Sequence, residues 1–178
     1  MLTRMFAPHR YSTGLPHMDA EWDFRRARRA WLAARLRPWR RGRCRNPCTL
    51  APSSMLANGP SRLEVVSLSE IVGTVEPTVA FDGQFRPASE KLRRRWERIA
   101  LAHRRGEAVP PVVLRRQPDG YYVVDGRHRV SVARTLRLGD IDAWVTGPRG
   151  APGAGTARPP LAGGGLQEPA GGLEPPTA

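Results

Sequence analysis

The sequence predicts an α+β protein: a small mixed β-sheet with helices packed on it, preceded by a basic N-terminal helix and followed by a disordered C-terminal tail. Three observations carry this. Residues 62–146 alternate β-branched runs with helical periodicity in the order β, α, β, β, α, β, about 85 residues and a suitable size for one core. Residues 19–39 hold one apolar stripe at helical spacing among many arginines. From residue 147 the chain is Pro, Gly and Ala with almost no bulky residue, too little apolar surface to offset the entropy of ordering. The 178 residues thus divide into a disordered stretch (1–18), a basic amphipathic helix (19–39), a linker (40–61), one globular domain (62–146) and a disordered tail (147–178).

Taken in order, "MLTRMFAPHRYSTGLPH" has no apolar core of signal-peptide length and no structural pattern, which makes Met18 a candidate start. In 19–39, Asp19 can cap the helix, and Glu21 and Asp23 suit the positive end of its dipole. Ala20, Phe24, Ala27, Trp31 and Ala34 share one face, arginines cover the others, and Pro38 ends the helix. Two readings stay open. The helix is an arm on nucleic acid or an anionic membrane, with Arg25, Arg26, Arg28, Arg29, Arg40 and Arg41 as the phosphate-contacting residues; or it docks on its own domain with a solvated arginine face. Residues 40–61 have many breakers and no periodicity, as a linker does.

"LEVVSL" (63–68) reads as a strand, "SEIVGTV" as a helical turn ending at Gly73, and "EPTVAFDGQFRP" as a loop. Residues 89–105 form a helix with Leu92, Trp96, Ile99, Ala100 and His103 on one face, closed by Gly106. Next comes a hairpin, strands 112–115 and 121–124 around Pro118-Asp119-Gly120. A helix over 127–138 ended by Gly139 follows, then "IDAWV" (141–145) as the last strand.

The formal net charge of +13 makes polyanions the natural partners. It is uneven: on the charges of Asp, Glu, Lys and Arg near pH 7, residues 1–61 carry about +9, 62–146 about +4, and the tail about zero. Lys91 is the only lysine, so part of the arginine content is compositional. Cys44 and Cys48 make neither a disulfide scaffold nor, lacking two clustered partners, a zinc site. No metal ligand set is expected. No run of eighteen apolar residues exists, so no membrane span is expected, and the protein reads as cytoplasmic.

The chemistry concentrates in "VVDGRHRVSVARTLRLG". A strand runs into Asp125-Gly126, then Arg127-His128-Arg129 opens a helix. The first N–H groups of a helix lack internal partners and carry partial positive charge. Gly126 lets a ligand approach the backbone, Arg127 and Arg129 offer bidentate donors, and His128 exchanges a proton near neutrality. That points to an anion, with a nucleotide phosphate foremost. The competing reading has Asp125 capping the helix and pairing with one arginine.

With "LSEIVGTV", "RWERIALAHRRGEAVPPVVLRR" and "YYVVDGRHRVSVARTLRLGDIDAWV", the chain resembles the ParB/sulfiredoxin-like (ParB-like nuclease domain) family, and looks closest to its short actinobacterial-type members. The resemblance covers residues 68–146. It implies that Asp125, Gly126, Arg127, His128 and Arg129 cradle the phosphates of a nucleoside triphosphate, CTP or ATP, with magnesium as a companion. It also implies kinship with chromosome-partitioning proteins, and the charge of the arginine-rich arm adds an expected association with DNA. The chain departs from the family's reactions. Arg127 stands where sulfiredoxins carry a nucleophilic cysteine, and only the Gly/Pro tail stands where ParB clamps have a helix-turn-helix. No catalytic residue is assigned. An alternative is a small kinase or nucleotide hydrolase on the same fold, with Glu70 or Asp82 as general base.

Overall fold

A computed structural model describes residues 12–36, 47–50 and 60–147. The chain folds as α+β, a six-stranded mixed sheet with helices stacked on it. Its elements are α1 (Pro16–Leu36), β1 (Cys48–Thr49), β2 (Arg62–Ser67), β3 (Ile71–Thr74), α2 (Arg93–Arg104), β4 (Val112–Gln117), β5 (Gly120–Asp125), α3 (Arg127–Thr135) and β6 (Asp140–Thr146). Short 3-10 turns, Leu68–Glu70 and Glu90–Leu92, precede β3 and α2.

Strand order is β1-β3-β5-β4-β6-β2. The β4–β5 hairpin forms the centre, antiparallel, with β3 parallel to β5 and β6 parallel to β4. Edge strand β2 pairs antiparallel with β6, Leu63 opposite Trp144. Helix α3 is the middle layer. Val130 and Ala133 pack on the sheet with Val112, Leu114, Val123 and Ala143, while Val132 and Leu136 pack outward on Phe24, Ala27, Trp96 and Ala100 of α1 and α2. Trp96 meets Phe24 edge-on at 5.5 Å and donates its indole N–H to Ser131 Oγ at 2.9 Å, so the largest buried side chain is also satisfied as a donor.

Several elements differ from expectation, each for a physical reason. Helix α1 starts at Pro16, a residue suited to a first helical position because it has no N–H to leave unpaired. Asp19 is therefore inside the first turn rather than capping it. Its buried carboxylate accepts from the Thr13 N–H and the Thr13 and Ser12 hydroxyls, and pairs with Arg104 of α2 at 3.2 Å. Residues 12–18, expected to be disordered, are thus tied to the domain. The helix ends at Leu36, and Pro38 and Trp39 lie outside the described residues.

"SEIVGTV" is a 3-10 turn followed by a strand, not a helical turn. Gly73 sits inside β3 because the Cys48 carbonyl of β1 would stand 2.0 Å from any Cβ there. Cys48–Thr49, expected as linker, is that neighbouring strand. Helix α3 stops at Thr135, three residues early, and the left-handed residue past its end is Arg137 (φ 57°), not Gly139. The tail lies outside the described residues from 148 onward.

Candidate functional site

Strand β5 delivers Asp125 and Gly126 to the mouth of α3. Gly126 is left-handed (φ 101°), a conformation that disfavours any side chain. A Cβ there would also meet Val112 Cγ1 at 2.7 Å, so the glycine serves tight packing against β4 rather than leaving room for a ligand. No side chain caps the helix. Of the competing reading, in which Asp125 caps the helix and pairs with one arginine, the cap is not formed and the pairing is. The Asp125 carboxylate turns outward, 63 % exposed, to pair with Arg129 Nη2. The first amides of α3 have no intrahelical acceptor, and the dipole stands behind them.

The three basic residues of the motif take different tasks. Arg129 reaches back to donate Nη1 to the Pro110 carbonyl at 2.9 Å and to the Pro111 carbonyl, with Asp125 on its other nitrogen. It braces the approach to β4 against the helix mouth. Among the described residues Arg127 has one long ion pair, with the exposed Glu76 at 3.6 Å. His128 packs edge-on against Phe81, ring centres 5.1 Å apart. Burial, then the charges of Arg95 and Arg127, push its pKa down to about 4, with Asp125 opposing weakly, so the ring is neutral at pH 7. The motif thus contributes open amides, one available guanidinium and a neutral imidazole. Arg95, on α2, adds a second positive charge close enough to be felt by His128. Nothing in the spacing of α2 singles Arg95 out among its neighbours, since only the packing of α2 on α3 gives it a role.

The site is an open helix end. Two hollows lie elsewhere among the described residues: one of about 490 Å³ on the outer side of α1, and one of about 920 Å³ bordered by Arg26, Cys48, Arg86, Arg134 and Arg137. The described residues hold no group of three His, Cys, Asp or Glu able to bind a metal. Asp82 is buried and accepts from the amides of Gln84 and Arg86 and from Arg86 Nε at 2.7 Å, which closes the loop around Phe85. Glu70 ends the 3-10 turn before β3.

The arm residues are distributed as a docked helix requires. Arg26 pairs with Asp23 at 2.9 Å and donates to the Thr135 carbonyl at the end of α3. Arg28 donates to the Ala88 carbonyl at 2.7 Å and covers the Trp31 ring. Arg25 pairs with Glu21 at 2.6 Å, and Arg29 lines the smaller hollow. Arg40, Arg41 and Cys44 lie outside the described residues. No described helix is long and apolar enough to cross a membrane.

No family model matches the chain, and neither a curated protein nor a solved structure matches it.

Proposed function

We propose that the protein is a ParB/sulfiredoxin-like module that binds the phosphates of a nucleoside triphosphate, CTP or ATP, at the amino end of α3. The observation that carries this is a helix opening on a left-handed glycine with no capping side chain, beside two positive charges. Open amides at a helix start are phosphate ligands in their own right. In this reading the amides of residues 127–129 and the Arg127 guanidinium hold the phosphates, and Arg95 adds longer-range attraction. His128, neutral, offers one N–H. Asp125 and Arg129 are positioning residues, because their polar atoms are engaged with each other and with the Pro110–Pro111 carbonyls. Magnesium would arrive with the triphosphate, its ligands being phosphate oxygens and water.

The test is a thermal-shift and calorimetric series on the full chain with CTP, ATP, GTP and UTP plus magnesium. Stabilisation by a triphosphate is expected, with affinity falling about tenfold in Arg127→Ala, the loss of one charge-assisted contact. Silence toward all four nucleotides, or undiminished affinity in Arg127→Ala, would refute the assignment.

A further inference from the structure

The outer side of α1 carries a second stripe that the first one hides. Leu15, just ahead of the helix, with Met18 and Trp22 form one end, and Leu32 and Leu36 form the other, all between 37 % and 86 % exposed. Arg25 and Arg29 occupy the same line between them. The spacing is three and four residues throughout, so the seven positions lie on one face, about half a turn away from the buried Ala20, Phe24 and Ala27. That is the a/d spacing of a helix that meets another helix. The apolar ends frame the hollow of about 490 Å³, lined by Trp22, Arg25, Arg28, Arg29, Leu32 and Glu90.

We infer that this face docks an amphipathic helix of a partner protein, whose apolar residues cover the two ends and whose carboxylates meet Arg25 and Arg29 in the middle. Charge selects that occupant. Arg25 shares the Glu21 carboxylate with Arg93 of α2, and among the described residues no hydrogen bond or ion pair engages Arg29. Glu90, at the edge of the hollow, interacts with Arg28 and Arg93 at 3.9 and 3.5 Å. The centre of the stripe therefore asks for negative charge. A second copy of this chain would answer with arginines. In a parallel pairing Arg25 would face Arg25, and in an antiparallel one Arg25 would face Arg29. A lipid surface would have to take two guanidinium groups at the middle of the inserted face. A nucleic-acid backbone offers nothing to Leu15, Met18, Leu32 and Leu36.

The probe is a pair of labelled synthetic helical peptides, each about three heptads long. Both have Leu at the outer a/d positions. One has Glu, its twin Lys, at the two central ones. Fluorescence anisotropy with the full chain should show the Glu peptide binding at least about tenfold tighter than the Lys twin. Arg25→Glu with Arg29→Glu should invert that preference, because both side chains are exposed on that face, with circular dichroism unchanged. Trp22→Ala with Leu32→Ala should weaken the Glu peptide by about tenfold or more, with circular dichroism unchanged. Binding of neither peptide, or of both alike, overturns the inference. So does a dimer in sedimentation equilibrium that Trp22→Ala with Leu32→Ala dissolves. Displacement of the Glu peptide by duplex DNA or by phosphatidylserine vesicles would do the same.

Discussion

Where α1 meets α2, Arg104 is buried between Asp19 and Asp23, at 3.2 and 2.6 Å. At the mouth of α3, Arg127 is half-buried and its partner is a glutamate 3.6 Å away that is itself 73 % exposed. The first cluster is matched atom for atom. Burial alone would raise the Asp19 pKa, but hydrogen bonds from Thr13 and Ser12 and the Arg104 charge outweigh it and hold the carboxyl below its ordinary value. The second cluster is unmatched: open amides, an available guanidinium, and a histidine kept neutral by burial and by the arginines beside it. In a chain this rich in arginine, residue type says little about role. What separates a structural arginine from a ligand-binding one is whether carbonyls and carboxylates of the fold already use its donors.

The contrast is sharpest under mutation. Asp23→Ala leaves Arg104 with one carboxylate and also frees Arg26, so urea unfolding should show a loss of about 3–5 kcal/mol, with nucleotide affinity unchanged. Arg129→Ala removes three hydrogen bonds at the helix mouth and should cost about 1–3 kcal/mol in the same experiment. A change of nucleotide affinity larger than this destabilisation would recast Arg129 as a direct ligand.

Protons probe the same divide. His128 has a folded pKa of about 4 against an ordinary 6.5, so between those values the unfolded chain binds more protons than the folded one. The stability His128 contributes is complete above pH 6.5 and is lost as pH falls from 6.5 toward 4. His128→Asn should flatten that window of the stability–pH curve, and a slope unchanged by the substitution would mean the ring titrates normally. The smallest expected effect on stability is that of Arg127→Ala, within about 0.5 kcal/mol, although its effect on nucleotide binding is among the largest.

The central hairpin, α2 and α3 were legible because alternation, helical periodicity and the Pro-Asp-Gly turn all agree there. The helix mouth was legible as a strand–glycine–basic junction. What the sequence could not show is which partners each charge finds. Asp23 and Arg104 meet across 81 residues, and no local pattern links them. Arg129 reads like Arg127 until the Pro110 and Pro111 carbonyls are seen beside it. The strand at Ile71–Thr74 is hidden because it is four residues long, holds Gly73, and pairs in parallel with strands far away in sequence. On α1, spacings of three and four describe two opposite faces at once. The stripe through Phe24 is the apolar one by composition, while the one through Trp22 is interrupted by Arg25 and Arg29.

Whether the first amides of α3 are the phosphate ligands is read from amide NMR on the full chain. Adding ATP or CTP with magnesium should move the N–H resonances of Arg127, His128 and Arg129 first and farthest, and Arg127→Ala should suppress those shifts. Nucleotide-induced shifts concentrated around Arg134 and Arg137, with residues 127–129 unmoved, would contradict that assignment.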